Sequence, residues 1–149
     1  MSESLIIRPA GEADRGAIVD LLEALTNALA NDGIPFRKTE NGKAISSFVA
    51  NERGCVLLAE DETGTLGLVT ASFNLALRYD GEYAQVEELI VTEAARGKGV
   101  GGKLVCAVIE AARERGCIEV GLYAVPRNQP FYEKMGFSYA GPDMRMTLG

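Results

Sequence analysis

Glycines at 97, 99, 101 and 102 interleave with cations in the run Arg96-Gly97-Lys98-Gly99-Val100-Gly101-Gly102-Lys103, which lies between a strand-like apolar segment and an apolar helical one. Such a loop suits phosphate. Glycine lets the backbone come close to a ligand, and the unpaired N–H groups of a helix start face an anion with the helix dipole behind them. Lys98 and Lys103 add charge beside it. Read as Gly97-x-Gly99-x-x-Gly102 the run has dinucleotide spacing, and read as Gly97-x-x-x-x-Gly102-Lys103 it approaches a triphosphate loop. Context argues against both. Leu104 stands where the triphosphate loop needs a hydroxyl for Mg²⁺. Thr92-Glu93-Ala94-Ala95 separates the run from its strand, and the next strand closes on Ala124-Val125-Pro126 with no acid for a ribose.

The chain has no histidine, so proton transfer falls to Glu, Asp, Tyr, Cys or water. Upstream of the loop stands Glu87-Glu88-Leu89-Ile90-Val91, and downstream Asn128-Gln129-Pro130-Phe131-Tyr132-Glu133-Lys134-Met135-Gly136-Phe137. Successive strand residues point to opposite faces, so alternation predicts that at most one of Glu87 and Glu88 reaches a cleft.

Arg96-x-x-Gly99-x-Gly101 also fits a third pattern, (Gln/Arg)-x-x-Gly-x-(Gly/Ala). With the two flanking segments and the opening Leu5-Ile6-Ile7-Arg8-Pro9-Ala10, the chain resembles the GNAT superfamily of N-acetyltransferases along essentially its whole length. The resemblance implies acetyl transfer from acetyl-CoA to a primary amine by direct attack in a ternary complex, with no metal. It implies that Arg96, Gly97, Lys98, Gly99, Val100, Gly101 and Gly102 hold the pyrophosphate. The pantetheine arm would lie against the backbone of Leu89, Ile90 and Val91, with the Ile90 and Val91 N–H groups near the oxyanion. Asn128 would contact the coenzyme, although it also suits a helix N-cap. By likeness to polyamine-type members, Glu87 is the base. An amine of pKa ~10.4 is neutral in only about one molecule in 10³ at pH 7, so a base is useful. Tyr132 is the acid: a phenol near ~10 can lend its proton to a thiolate near ~8.5. Two other readings remain open, a non-catalytic CoA-binding sensor or interaction module and a protein N-acetyltransferase.

The elements that must carry these residues read as strand 5–8, helix 12–30, helix 41–50, strands 55–60 and 66–75 joined by Asp61-Glu62-Thr63-Gly64, strand 83–91, helix from Val100 to a stop at Gly116, strand 118–125, helix 128–135 and a closing pair of strands within 137–148. That order predicts a layered α/β (α+β) fold with a mixed, mostly antiparallel sheet. The resemblance adds a splayed central parallel pair of strands. Residues 1–149 read as one domain.

Hydrophobic residues make up 47% and charged ones 24%, and no apolar run approaches a membrane span, so a cytoplasmic enzyme is expected. Cys55, Cys106 and Cys117 lack metal-ligand spacing and read as reduced thiols. A net charge of −6 argues against nucleic acid as partner. A homodimer is one assembly such a domain could form. Phe36, Arg78, Tyr79, Asp80, Glu82 and Tyr83 fall on turns expected to border the cleft. The acids favour a cationic small-molecule acceptor, whereas Arg78 could clamp a carboxylate or phosphonate on one.

Overall fold

Continuous apolar runs, covered on both faces, give the sheet its central strands. In the computed structural model, which describes residues 4–32, 42–141 and 143–148, strands β1 (Ile6–Pro9), β2 (Gly54–Asp61), β3 (Gly64–Ala76), β4 (Gly81–Val91) and β5 (Val120–Leu122) lie in sequential order. The first four are antiparallel and β5 runs parallel to β4. The hairpin after Asp61 turns at Gly64 with φ 123°, a conformation open to glycine and few others.

Helix α3 (Val100–Arg115) makes the crossover from β4 to β5 and covers one face. Its Val100, Leu104, Val108 and Ala112 bury against Leu57, Val69, Ala71, Phe73, Ala84 and Val86. Helices α1 (Arg15–Ala28) and α2 (Lys43–Val49) cover the other, with Ile18, Leu21, Leu25 and Ile45 against Val56, Leu58, Leu68 and Ile90. Helix α4 (Gln129–Lys134) follows β5. As expected from sequence, α3 stops at Gly116, whose φ of 88° is left-handed. No helix among the described residues is long and apolar enough to cross a membrane.

Two expectations fail. Only three residues of 118–125 are strand, and residues 137–141 and 143–148 form no strand. The physical reason is a missing bed: Tyr139, Met144, Met146 and Leu148 are all exposed, so nothing buries one face of a ladder there. Among the described residues β5 therefore ends the sheet.

Arg115 ties three elements together at the end of α3. Its guanidinium lies 4.0 Å over the Phe73 ring, donates to Glu82 at 2.9 and 3.3 Å, and donates to the carbonyls of Asn51 at 3.0 Å and Glu52 at 2.7 Å. Those bonds hold the Glu82 carboxyl below its ordinary range. Arg115→Ala should lower unfolding stability by about 2 kcal/mol in denaturant titration. Arg115→Lys should restore little, because a point charge cannot replace the fork. A lysine variant as stable as the wild type would refute that account.

Candidate active site

The pairing of β3 with β4 shifts by one residue in the middle. Ala71 faces Val86 but Thr70 faces Glu88, so Glu87 is an extra residue, a β-bulge. Its effect on side-chain parity is direct. Before the bulge, Ala84 and Val86 point toward α3; after it, Ile90 points toward α1 and α2. Glu87 and Glu88 consequently share the α1 face. Ser72 Oγ donates to Glu87 Oε2 at 2.6 Å, Thr70 Oγ1 donates to Glu88 Oε1, and both donors stand on that face of β3. The expectation that alternation sends at most one carboxylate to the cleft is thus corrected, since it assumed an unbroken strand.

The cleft begins where the bulge does. Ladder pairing between β4 and β5 covers only Ala84–Val120, Gln85–Gly121 and Val86–Leu122. Beyond it lies a cavity of about 90 Å³ lined by Glu87, Glu88, Leu89, Tyr123, Asn128 and Tyr132 together with Leu25 and Leu29 from the α1 side. Backbone groups that face such a gap without ladder partners are available to a ligand's amides. Asp32, in the short helical turn after α1, accepts from Arg127 at 2.8 and 2.9 Å and so links the two walls.

Glu88 is half-buried, and burial pushes its carboxyl above the ordinary range, with Thr70's hydrogen bond opposing and Glu87's charge assisting. Glu87 is exposed. Tyr132 comes from α4 on the opposite side, its ring set edge-on to Phe131 at 4.9 Å and Phe137 at 6.0 Å. Its hydroxyl makes no hydrogen bond among the described residues. Burial raises its pKa, so the phenol keeps its proton through the neutral range. Asn128 precedes α4 without a side-chain capping bond, which corrects the expected cap, and it lines the cleft.

The glycine loop joins β4 to α3. Gly97 and Gly99 have φ of 80° and 77°, conformations that keep side chains out and turn the backbone into the start of α3. Lys103 N is the first of the helix to donate back, to Gly99 O at 3.2 Å, so the preceding N–H groups are unpaired within it. Arg96 Nε folds back to donate to Val91 O at 3.4 Å. A second cavity of about 620 Å³ lies beside the loop, lined by Gly99, Gly102, Lys103, Cys106, Phe131 and Lys134 among others. A left-handed glycine cradle, a free helix start and flanking lysines make a donor set that fits a pyrophosphate and its adenosine arm.

The expected acceptor residues fare differently. Arg78 stacks on Tyr79 at 4.5 Å and lies 5.6 Å from Tyr83, Glu82 is held by Arg115, and Asp80 is a turn residue at φ 50°. None of these lines the cleft, because they precede the splay at the other end of β4. Phe36 lies outside the described residues. The sequence reading missed Thr70 and Ser72, although the polar positions of Thr70-x-Ser72-x-Asn74 in an apolar strand are a period-two signal.

The profile of the family described as Acetyltransferase (GNAT) family matches residues 20–137. A rice protein named Glucosamine 6-phosphate N-acetyltransferase 1 is 41% identical over 88 residues, 55% of this chain and 52% of its own length. The chain's matches to this and a second rice relative span little more than half of those proteins. The Arabidopsis thaliana glucosamine 6-phosphate N-acetyltransferase is 30% identical over 144 residues, 93% of each chain. A crystal structure of that name from Arabidopsis thaliana aligns with TM-score 0.79 at 23% identity, over 99% of this chain and 100% of the other.

Proposed function

Because the chain belongs to the GNAT acetyltransferase family, we propose that it transfers the acetyl group of acetyl-CoA to the primary amine of a small molecule, an amino sugar phosphate such as glucosamine 6-phosphate. The observation that carries the reading is a splayed strand pair with two carboxylates on one wall, a protonated phenol on the other and a glycine-lined helix start adjoining. The names of the curated relatives support the acceptor.

Bound acetyl-CoA would supply an activated acetyl thioester. Arg96, Gly97, Lys98, Gly99, Val100, Gly101 and Gly102 hold its pyrophosphate through backbone N–H groups and charge. The backbone of Leu89, Ile90 and Val91 aligns its arm along β4, with Asn128 across the gap; the Ile90 N–H is turned toward β3, so the Val91 N–H, on the gap edge of the strand, serves the developing oxyanion. Glu87 takes the ammonium proton and frees the amine lone pair for attack. Tyr132 Oη gives its proton to the departing sulfur.

A thermal-shift comparison of acetyl-CoA, ATP with Mg²⁺ and NAD tests the site. Acetyl-CoA should raise the midpoint, because a ligand that binds only the folded state stabilises it; a rise with ATP alone would overturn the reading. Thiol release with glucosamine 6-phosphate, glucosamine, polyamines, amino acids, aminoglycosides, aminoalkylphosphonates and basic peptides then tests the acceptor. Turnover confined to peptides would refute a small amine, and acetyl-CoA binding with no turnover would mark a sensor.

A further inference from the structure

Thr70 is the only polar residue buried in the core among those described, at 3% exposed. It sits on β3 between Val69 and Ala71, where a valine of nearly the same shape would avoid burying a hydroxyl. That hydroxyl is spent on one residue across the strand. Oγ1 accepts the Glu88 N–H at 3.1 Å and donates to Glu88 Oε1. The doubly bonded pair stands at the position where the β3–β4 register shifts. On the same face Asn74 Nδ2 donates to Ser72 Oγ at 3.0 Å, and Ser72 Oγ donates on to Glu87. Three alternate residues of β3 thus form a polar row that engages both carboxylates of the cleft.

We propose that Thr70 is a positioning residue for acetyl transfer: its two-way bond to Glu88 pins the bulge in register, and the pinned bulge keeps Glu87 on the cleft face. This rests on the acetyl-transfer reading. A bulge can migrate along a strand, and each one-residue migration sends a side chain to the opposite face. Backbone pairing alone does not fix where the extra residue sits. A hydroxyl that bonds both the amide and the carboxylate of the residue after the bulge does fix it.

The test combines turnover with carbon-13 NMR titration of labelled glutamate carboxyls. Thr70→Val should lower kcat about tenfold, within the range expected when a reacting group is misplaced by less than an ångström. Its acetyl-CoA affinity should hold, since the loop is untouched. The Glu88 titration should move to higher pH, because a donor favouring the ionised form is gone. Thr70→Ser should restore both. In a Glu87→Gln background Thr70→Val should cost no further kcat, because the group it places is absent. Should valine not fold, Glu88→Ala removes the other end of the bond and carries the same kcat expectation. Unaltered kcat in folded Thr70→Val, loss that serine does not restore, or a second full loss in the Glu87→Gln background would each overturn the assignment. A wild type that releases no thiol with any amine would overturn the acetyl-transfer reading itself, a result distinct from an active enzyme indifferent to Thr70.

Discussion

Tyr132→Phe should lower turnover by about 10²–10⁴-fold, the usual range for loss of a general acid, with acetyl-CoA affinity little changed. Phenylalanine keeps the ring and its edge contacts with Phe131 and Phe137, which anchor α4, so the fold has no reason to shift. Only the hydroxyl is lost. Its proton is available at neutral pH because burial disfavours the phenolate, and no protein acceptor among the described residues competes for it. Steady-state kinetics with a thiol readout, beside a direct binding measurement, separates the two effects. Full turnover in a folded Tyr132→Phe variant would return this residue to a purely packing role.

The second large effect is expected at the carboxylates. Glu87→Gln should lower kcat/KM by about 10²–10⁴-fold near neutrality, since an amide cannot accept the amine's proton. Glu88→Gln should leave the rate near that of the wild type, because the amide oxygen still accepts from Thr70 and the bulge persists. Its signature belongs to stability instead. The folded-state pKa of Glu88 is raised chiefly by burial, so its contribution is fully present below the unfolded carboxylate pKa and is lost as pH rises through the folded one. Glu88→Gln should therefore gain in unfolding midpoint over wild type as pH rises through that window. A larger kinetic loss from Glu88→Gln than from Glu87→Gln would exchange the two roles.

Much of this was readable from local chemistry. Gly97 and Gly99 of the loop, the stop at Gly116 and the hairpin at Gly64 are positions where φ demands a particular residue, so type reveals conformation. The amphipathic faces of α1 and α3 follow from spacing in the same way. What escaped depends on pairing. Nothing in Val86-Glu87-Glu88-Leu89 announces an extra residue, because a bulge is a relation between two strands. Residues 143–148 alternate as a strand would, yet alternation supplies no partner. Arg78, Tyr79, Glu82 and Tyr83 have the chemistry of a binding wall, but the site opens only past Val86, at the other end of β4.

The bulge makes chain length, as distinct from residue identity, part of the active site. Deleting position 87 would let Thr70 and Ala71 pair with consecutive residues of β4 in one continuous ladder. The sheet would become more regular while the cleft kept a single carboxylate. Selection for stability alone should therefore favour that deletion, whereas selection for turnover should reject it. No set of point substitutions explores the same alternative, so a library that varies length at this strand probes a trade-off that residue-by-residue scanning leaves untouched.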